Sequence, residues 1–259
     1  MSSPTISSQA LSGFADGASY DQHRPSFPAE SVNNLLDKVR IAGVEGARVL
    51  DLAAGTGKFT ELLAKREEGY EVLAVEPHEG MRKVLEEKGL KNVLVEDGLS
   101  TSIPLGDESV DAVIVAQVGL LSHNAPRSHK ASSTWEAALH DLIWSFDDAQ
   151  PRFRHEQWHA VFDEQLRTTP LTITALANPL FALPLGEHEE EWEVWLSKKA
   201  VWDRFSTLSQ IAVLKGGDRE RVYRAFRDAI DGPDVETNEK GEVALHGMTV
   251  SAWTTKVPA

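Results

Sequence analysis

The sequence predicts an α/β fold, a Rossmann-like three-layer sandwich with a mostly parallel sheet, and three observations support this. The stretch 48–58 is an apolar run that contains an acid and ends in a Gly-x-Gly turn. The stretch 71–77 is a second apolar run with a terminal acid, and 110–117 is a third apolar run. Buried parallel strands are nearly continuous apolar runs because both of their faces are covered. Right-handed crossovers then bring the carboxyl ends of the strands to one edge of the sheet.

Within residues 29–117 the sequence predicts a helix ahead of the four strands of the sheet. A helix is predicted over 29–41, because its apolar residues recur at helical spacing. These residues are Val32, Leu35, Leu36 and Val39. The strands, in the sheet order 3-2-1-4, are expected at 48–54, 71–76, 92–96 and 110–117. A bound ligand should therefore lie across strands one, two and three, at the carboxyl edge of the sheet.

The first strand leads into a turn that suits such a ligand. Gly55 and Gly57 flank Thr56, and glycines let a ligand lie against the main chain. The free N–H groups at the start of the next helix then face that ligand. A tight strand-to-helix turn without a ligand is the structural alternative.

The neighbouring residues separate the ligands that use this kind of turn. A P-loop is excluded, because Leu52 and Phe59 stand where it requires Gly and Ser or Thr. A dinucleotide fingerprint has a third Gly where Thr60 stands. The interpretation as a nicotinamide-dependent oxidoreductase is therefore less favoured but stays open. S-adenosylmethionine has no pyrophosphate, and an acid such as Asp51 suits the ammonium group of its amino-acid end.

The acid at the end of the second strand supports a ligand that contains ribose. Glu76 lies about 20 residues after Gly57, which is the spacing at which a carboxylate reaches ribose hydroxyls. One carboxylate can accept hydrogen bonds from two hydroxyls. We therefore predict that Glu76 binds the ribose, with a solvated strand end as the alternative.

Together these motifs resemble the class I S-adenosylmethionine-dependent methyltransferases. The sequence is most similar to the type 11 small-molecule enzymes, which include the trans-aconitate methyltransferase-like proteins of fungi. The resemblance covers about residues 14 to 117, including a lid-like segment, Tyr20-Asp21-x-x-Arg24-Pro25-x-Phe27-Pro28. Its motifs are 49–58, 75–77, 97–104 and 110–117.

The resemblance implies methyl transfer from S-adenosylmethionine to a small-molecule acceptor. Tyr20 is expected to cover the sulfonium or the adenine, and Arg24 to meet a carboxylate, unless this tail only packs on the surface. Met81 either touches the adenine or belongs to the core. The expected cofactor-binding residues are Asp51, Ala53, Gly55, Thr56, Gly57, Glu76, Pro77, Met81, Gly98, Leu99, Gln117, Tyr20 and Arg24.

After Gln117 the sequence departs from the family pattern. The stretch 118–126 resembles the end of a fifth strand joined directly to strand four, as if one helix and strand were deleted. We expect the terminal hairpin to pair with strand four, or else the sheet to be incomplete. A degenerate protein that binds the cofactor without turnover is therefore the alternative function. The general base is unassigned, with His123 the nearest candidate by position.

The rest of the chain is predicted to be a helical cap and a closing hairpin. A capping box at 133–136 begins a helix, 187–193 is expected to be an acidic helix face, and further helices lie near 191–214 and 218–231. The stretch 171–176 is β-like. The predicted units are 1–28 (tail and lid), 29–125 (cofactor-binding core), 126–241 (helical cap) and 242–259 (terminal hairpin).

Composition limits the partners. The chain has no Cys, which excludes disulfides and fits a cytoplasmic location. The net charge of -14 disfavours nucleic acid, and no apolar run is long enough for a membrane span. His155 and His159 have the His-Glu-x-x-His spacing of a zinc hydrolase. The resemblance places them in the cap, where the family has no metal site, so no metal is predicted.

Overall fold

The computed structural model describes residues 16–116, 131–146, 157–166 and 181–257. The α-helices of these ranges are α1 (Gly17–His23), α2 (Ala29–Lys38), α3 (Lys58–Ala64), α4 (Glu79–Glu87), α5 (Thr134–Trp144), α6 (Ala160–Leu166), α7 (Lys198–Ser206), α8 (Ser209–Ala212) and α9 (Gly216–Ile230). A 3₁₀-helix, Gln157–His159, precedes α6. The strands are β1 (Arg48–Leu52), β2 (Glu71–Val75), β3 (Val93–Glu96), β4 (Ala112–Ile114), β5 (Gly186–Leu196) and β6 (Val243–Trp253).

The first four strands form one parallel sheet in the order β3-β2-β1-β4. The predicted fold class and strand order are therefore confirmed. In the register, Leu50 of β1 lies beside Leu73 of β2 on one side and Val113 of β4 on the other. The strands are shorter than predicted, and β4 has three residues.

One face of this sheet packs against helices α2 and α3. Val49 and Val72 of the central strands belong to a buried cluster that includes Leu36 of α2 and Leu63 of α3. Leu36 and Leu63 are fully buried, and for Leu36 this agrees with the helical spacing of apolar residues predicted over 29–41. Burying each such leucine stabilises the fold by about 1.5–3 kcal/mol.

The opposite face is covered differently. Leu50 and Leu73 pack against Ile103, Leu105 and Val110, which lie between strands β3 and β4. Toward the outer strands this face is open within the described residues. Leu94 of β3 is 59% exposed and Val113 of β4 is 52% exposed.

The C-terminal strands form a separate antiparallel ribbon and correct two predictions. The stretch 242–256 is not a hairpin bent at His246-Gly247, since 243–253 is one strand paired along its whole length with β5. Strand β6 pairs with β5 and, among the described residues, is not hydrogen-bonded to β4, so the expected pairing of the C-terminal segment with strand four is also wrong. A C-terminal antiparallel pair is present, but helices α7 to α9 separate its two strands.

Strand β5 occupies the stretch that was predicted to be an acidic helix face. From Gly186 to Val194 its residues alternate between half-buried and exposed, and four of its five glutamates are on the exposed side. The exposed acids are Glu187, Glu189, Glu191 and Glu193. On the other side Trp192 lies over Gly247, and Trp253 of β6 lies over Gly186, where a Cβ would come within 2.2 Å and 2.1 Å of the rings. Long-range pairing thus overrides the helix propensity of glutamate.

A second hydrophobic core joins the ribbon to the C-terminal helices. Leu139 of α5, Phe205 of α7, Phe226 of α9 and Leu245 of β6 are fully or almost fully buried in it. Helix α5 begins at the predicted capping box, where Ser133 accepts a hydrogen bond from the backbone N–H of Glu136. The helix predicted at 218–231 is also confirmed.

Three further expectations concern a β-like stretch, the domain boundaries and the start of a helix. The β-like stretch 171–176 lies outside the described residues, and the proposed domain boundaries stay predictions. The segment 191–196, expected to begin a helix, is part of β5. No helix among the described residues combines the length and the apolar character that a membrane span requires.

Candidate cofactor-binding site

The turn after β1 has the backbone shape that its glycines predict. Gly55 and Gly57 have φ angles of 60° and 83°, which are in the left-handed region. Ala53 also has a φ of 60°, where L-residues are strained. The sequence pattern did not reveal this strain, because an alanine gives no signal for a left-handed angle.

The two glycines serve different purposes. A Cβ on Gly57 would lie 2.2 Å from Cδ1 of the buried Leu85, so this glycine is required for packing against α4. A Cβ on Gly55 would meet only Sδ of Met81, at 3.9 Å. Gly55 therefore borders open space at the carboxyl edge of the sheet, which a ligand can use. Thr56, between them, is buried.

Asp51 is the most distinctive group of this site. It lies on β1, is 1% exposed, and its Oδ2 accepts a hydrogen bond of 2.6 Å from the hydroxyl of Thr60. Its Oδ1 is buried and has no hydrogen-bond partner among the described residues. Burial, and next the charge of Glu76, raise the pKa of Asp51 to about 6.

Glu76 lies at the end of β2, directly beside the glycine turn. Its Oε2 accepts a hydrogen bond of 2.8 Å from the backbone N–H of Gly55, and its Oε1 accepts one of 2.7 Å from the N–H of His78. The carboxylate thus binds the glycine turn through Gly55. It also binds the backbone of His78, which follows the half-buried Pro77. Burial raises the pKa of Glu76 above its ordinary value.

The start of α4 contributes the next predicted residue. His78 caps this helix, and its Nδ1 accepts a hydrogen bond of 3.3 Å from the N–H of Met81. Met81 is 5% exposed, so it belongs to the core. Its sulfur also borders the space above Gly55. Both roles weighed for Met81 are therefore compatible with its position.

The turn after β3 holds Gly98 and Leu99. Gly98 packs tightly, since a Cβ there would lie 2.8 Å from Val75 at the end of β2. Leu99 and Ser102 form an antiparallel bridge that closes the turn. This turn follows β3, so its backbone lies at the same edge as the glycine turn.

The lid-like segment forms helix α1, and it packs on the core through charged groups. Asp21 accepts a hydrogen bond of 2.8 Å from Nζ of Lys88 and lies 3.8 Å from Nζ of Lys58. Burial alone would raise the pKa of Asp21. Its interactions with Lys88, Thr56 and Lys58 outweigh burial and hold this pKa below its ordinary value. The guanidinium of Arg24 lies 4.8 Å from the ring centre of Tyr20. The sequence did not reveal the ion pair between Asp21 and Lys88, which are far apart in the chain.

A cavity of about 620 Å³ lies beside strand β4. Its lining is mainly apolar and aromatic, and it reaches from Phe27 after the lid to Trp253 of the ribbon. Phe59, in the first turn of α3, and Ala116, which follows β4, also border it. The cavity thus begins close to the carboxyl edge of the sheet.

Three of the predicted residues lie outside the described residues. These are Gln117, His123 and His155. His159 is described, and its Nε2 lies 3.6 Å from a carboxylate oxygen of Glu187. In the described ranges, no group of three or more potential ligands is arranged to hold a metal ion.

Comparison with known proteins agrees with this geometry. Residues 49–142 match the family described as a methyltransferase domain. This segment is therefore similar to a methyltransferase domain over about a third of the chain. It contains β1 to β4, the glycine turn, Asp51 and Glu76, so its boundaries enclose most of the candidate site.

Individual relatives match the domain over a limited length. An uncharacterized methyltransferase of Mycobacterium tuberculosis (H37Rv) is 45% identical over 105 residues, or 40% of this chain and 39% of the relative. An uncharacterized methyltransferase-like protein of Schizosaccharomyces pombe is 39% identical over 103 residues, or 39% of this chain and 38% of the relative. The chain thus spans about two-fifths of the length of these relatives.

Solved structures cover more of the chain at lower similarity. The YcgJ protein of Bacillus subtilis is 15% identical and has a TM-score of 0.39, with 86% of this chain and 98% of that chain covered.

Proposed function

We propose that the chain binds S-adenosylmethionine at the carboxyl edge of the sheet and transfers its methyl group to a small-molecule acceptor. The observation that carries this proposal is the buried Oδ1 of Asp51, which has no partner among the described residues. A buried carboxylate oxygen without a partner is costly unless a ligand pairs with it. The ammonium group of the amino-acid end is such a ligand.

The remaining residues of the site fit the rest of this cofactor. Gly55 leaves space for it against the main chain, and Glu76 lies where ribose hydroxyls are expected. Met81 borders the same space. When bound, the cofactor supplies a methyl group on a positively charged sulfur. The task of the protein is to hold the acceptor in line with that group, since positioning supplies much of the rate.

The cavity beside β4 is the proposed acceptor site. It is large enough for a small molecule, its walls are apolar, and it is bordered by Phe59 of the helix that follows the glycine turn. The net charge of -14 disfavours a nucleic-acid acceptor. A cytoplasmic location remains part of the proposal, on the basis of the absence of cysteine.

One observation favours a second candidate, a protein that binds the cofactor without turnover. Within the described residues, β4 pairs with β1 alone and Val115 beyond its end is 68% exposed. Edge strands with exposed apolar residues are normally protected. An incomplete wall on this side would impair the positioning of an acceptor while leaving Asp51 and Glu76 in place.

Calorimetric titration with S-adenosylmethionine, S-adenosylhomocysteine and NAD separates the candidate functions. Both proposals expect the first two ligands to bind and NAD not to bind. Radiolabelled methyl transfer to a panel of small carboxylic acids and phenols then distinguishes an enzyme from a binding protein. Binding of NAD alone would replace both proposals with an oxidoreductase.

A further inference from the structure

A cluster of cations lies between the lid helix α1 and helix α7. Arg24, directly after α1, is buried and donates hydrogen bonds from Nε to the hydroxyl of Thr207 at 2.9 Å and from Nη2 to its carbonyl at 3.2 Å. Thr207 is the C-cap of α7. The Arg24 guanidinium thus lies at the negative end of that helix, which is favourable for a cation.

Arg204 lies in the same last turn of α7. Its backbone carbonyl accepts a hydrogen bond of 2.6 Å from the hydroxyl of Thr207. Residues three apart in a helix share a face, so the side chains of Arg204 and Thr207 lie on the side that meets Arg24. The two arginines, which are far apart in the sequence, therefore lie close to the same C-cap residue.

The guanidinium of Arg204 has a buried N–H group without an acceptor among the described residues. Its Nη1 is buried and has no hydrogen-bond partner among the described residues. Of the ion pairs that these residues form, none includes Arg204, whereas its neighbour Asp203 pairs with Lys199 at 2.6 Å. A buried donor of a charged group is costly when it is left without an acceptor.

Like charges add to this cost. Burial lowers the pKa of Arg204, and the positive charge of Arg24 lowers it further. Burial is also the main cause that lowers the pKa of Lys58; the charges of Lys88 and, to a smaller extent, Arg204 lower it further, whereas Asp21 and Glu61 oppose this. Lys58 begins α3 directly after the glycine turn. The charge of Arg204 thus interacts with Arg24 and with Lys58, which stands in the first turn of α3.

We propose that Arg204, together with Arg24, binds a carboxylate group of a ligand held between α1, α7 and the start of α3. The planar fork of a guanidinium matches a carboxylate in two parallel hydrogen bonds. A carboxylate here supplies the acceptor that Nη1 lacks and offsets the repulsion between the cations. The inference rests on the proposed function, because the carboxylate belongs either to the amino-acid end of the cofactor or to an acidic acceptor.

Calorimetric titrations of the whole chain at constant ionic strength test the inference. The variant is Arg204→Gln, and the matched control is Arg221→Gln, whose exposed guanidinium pairs with Asp218 at 3.1 Å. The probes are S-adenosylhomocysteine, its decarboxylated analogue S-adenosyl-3-thiopropylamine, and succinate. The loss of hydrogen bonds to a charged group corresponds to a change in affinity of about ten- to a hundredfold.

Two results support the inference and identify the source of the carboxylate. If it belongs to the cofactor, the wild type prefers S-adenosylhomocysteine to the decarboxylated analogue by about tenfold or more, and Arg204→Gln loses this preference. If it belongs to an acceptor, the two nucleosides bind equally, and succinate binds the wild type about tenfold or more tightly than Arg204→Gln. Arg221→Gln behaves as the wild type in both cases. Equal affinities of wild type and Arg204→Gln for every probe, or no carboxylate-dependent binding, overturn the inference.

A thermal measurement separates this inference from the proposed function. Succinate should raise the Tm of the wild type more than that of Arg204→Met, and this comparison needs no cofactor. If succinate stabilises only the wild type while neither nucleoside binds, the carboxylate site stands and the cofactor assignment fails. Should Arg204→Gln not fold, Arg204→Lys retains the charge without the planar fork and serves the same comparison.

Discussion

The hydroxyl of Thr60 holds one oxygen of Asp51 by a hydrogen bond of 2.6 Å, and the other oxygen has no partner among the described residues. Both side chains are almost fully buried. Thr60 stands where a dinucleotide-binding turn has its third glycine. The residue that weakens the dinucleotide alternative is thus also the residue that orients the acid, which leaves one carboxylate oxygen available to a cation.

The raised pKa of Asp51 predicts that cofactor binding depends on pH. Below its pKa of about 6 the carboxyl is protonated, and an ammonium ligand must displace that proton. The ammonium itself stays charged in this range. The affinity for S-adenosylhomocysteine should therefore rise about tenfold between pH 5 and pH 7, as measured by titration calorimetry. Asp51→Asn should bind weakly with little pH dependence, and an unchanged pH profile in this variant would assign the proton elsewhere.

Gly55→Val should abolish binding of S-adenosylmethionine. The side chain would fill the space that Gly55 leaves open, and its left-handed φ of 60° adds strain. Gly69→Val is the matched control, since Gly69 has a φ of 63° and no atom within 4 Å of its Cβ position. Both variants should lose stability, but only Gly55→Val should lose binding in calorimetry. Equal affinity of the wild type and Gly55→Val would mean that the site is misplaced.

Glu76→Ala should weaken binding by about 1.5–3 kcal/mol, the range for hydrogen bonds to a charged group. A 2′,3′-dideoxy analogue of the cofactor should lose a similar free energy with the wild type and almost none with the variant. Because Glu76 also accepts from the N–H groups of Gly55 and His78, Glu76→Gln serves as a control that retains an acceptor. Independent losses in this double-mutant cycle would remove the ribose assignment.

Ala53→Gly should stabilise the protein by about 1 kcal/mol, because it removes the strain of a left-handed angle at an L-residue. Ala42→Gly is the matched control, since Ala42 is also exposed in a turn and is not among the residues with positive φ. This control should lose stability through the greater freedom of the unfolded chain. Urea denaturation measures both changes, and destabilisation by Ala53→Gly would argue that the alanine side chain contributes packing.

The sequence predicts local features of this fold better than long-range ones. Apolar runs with terminal acids located β1 and β2, because each strand is buried by its immediate neighbours. Strand β5 was predicted wrongly because its glutamates favour a helix. Its strand partner is distant in the sequence: Trp192 pairs with Gly247, more than fifty residues later. The proximity of Arg24 and Arg204 was likewise invisible, since it depends on how α1 meets α7.

The last prediction concerns turnover, and it follows from the neighbourhood of strand β4. Among the described residues β4 pairs with β1 alone, and the C-terminal ribbon is not hydrogen-bonded to it. The family resemblance predicts a helix and a fifth strand after strand four, and the departure of this sequence from that pattern after Gln117 stays a prediction. Since methyl transfer depends on holding the acceptor in line, the second candidate function predicts cofactor binding with weak or absent turnover.

The measurement compares the natural chain with a variant that carries a family-like helix and strand inserted after Gln117. Both proteins should bind S-adenosylhomocysteine with similar affinity, because Asp51, Gly55 and Glu76 lie in the unaltered part of the sheet. In a radiolabelled methyl-transfer screen over small carboxylic acids and phenols, the second candidate predicts turnover by the extended variant alone, whereas the proposed methyltransferase turns over without the insertion. The exposed Val113 and Val115 should also become protected in it, which hydrogen exchange along β4 can detect. Robust turnover by the natural chain would refute the idea that the departure after Gln117 disables it, because the positioning of the acceptor would then be complete without a fifth strand.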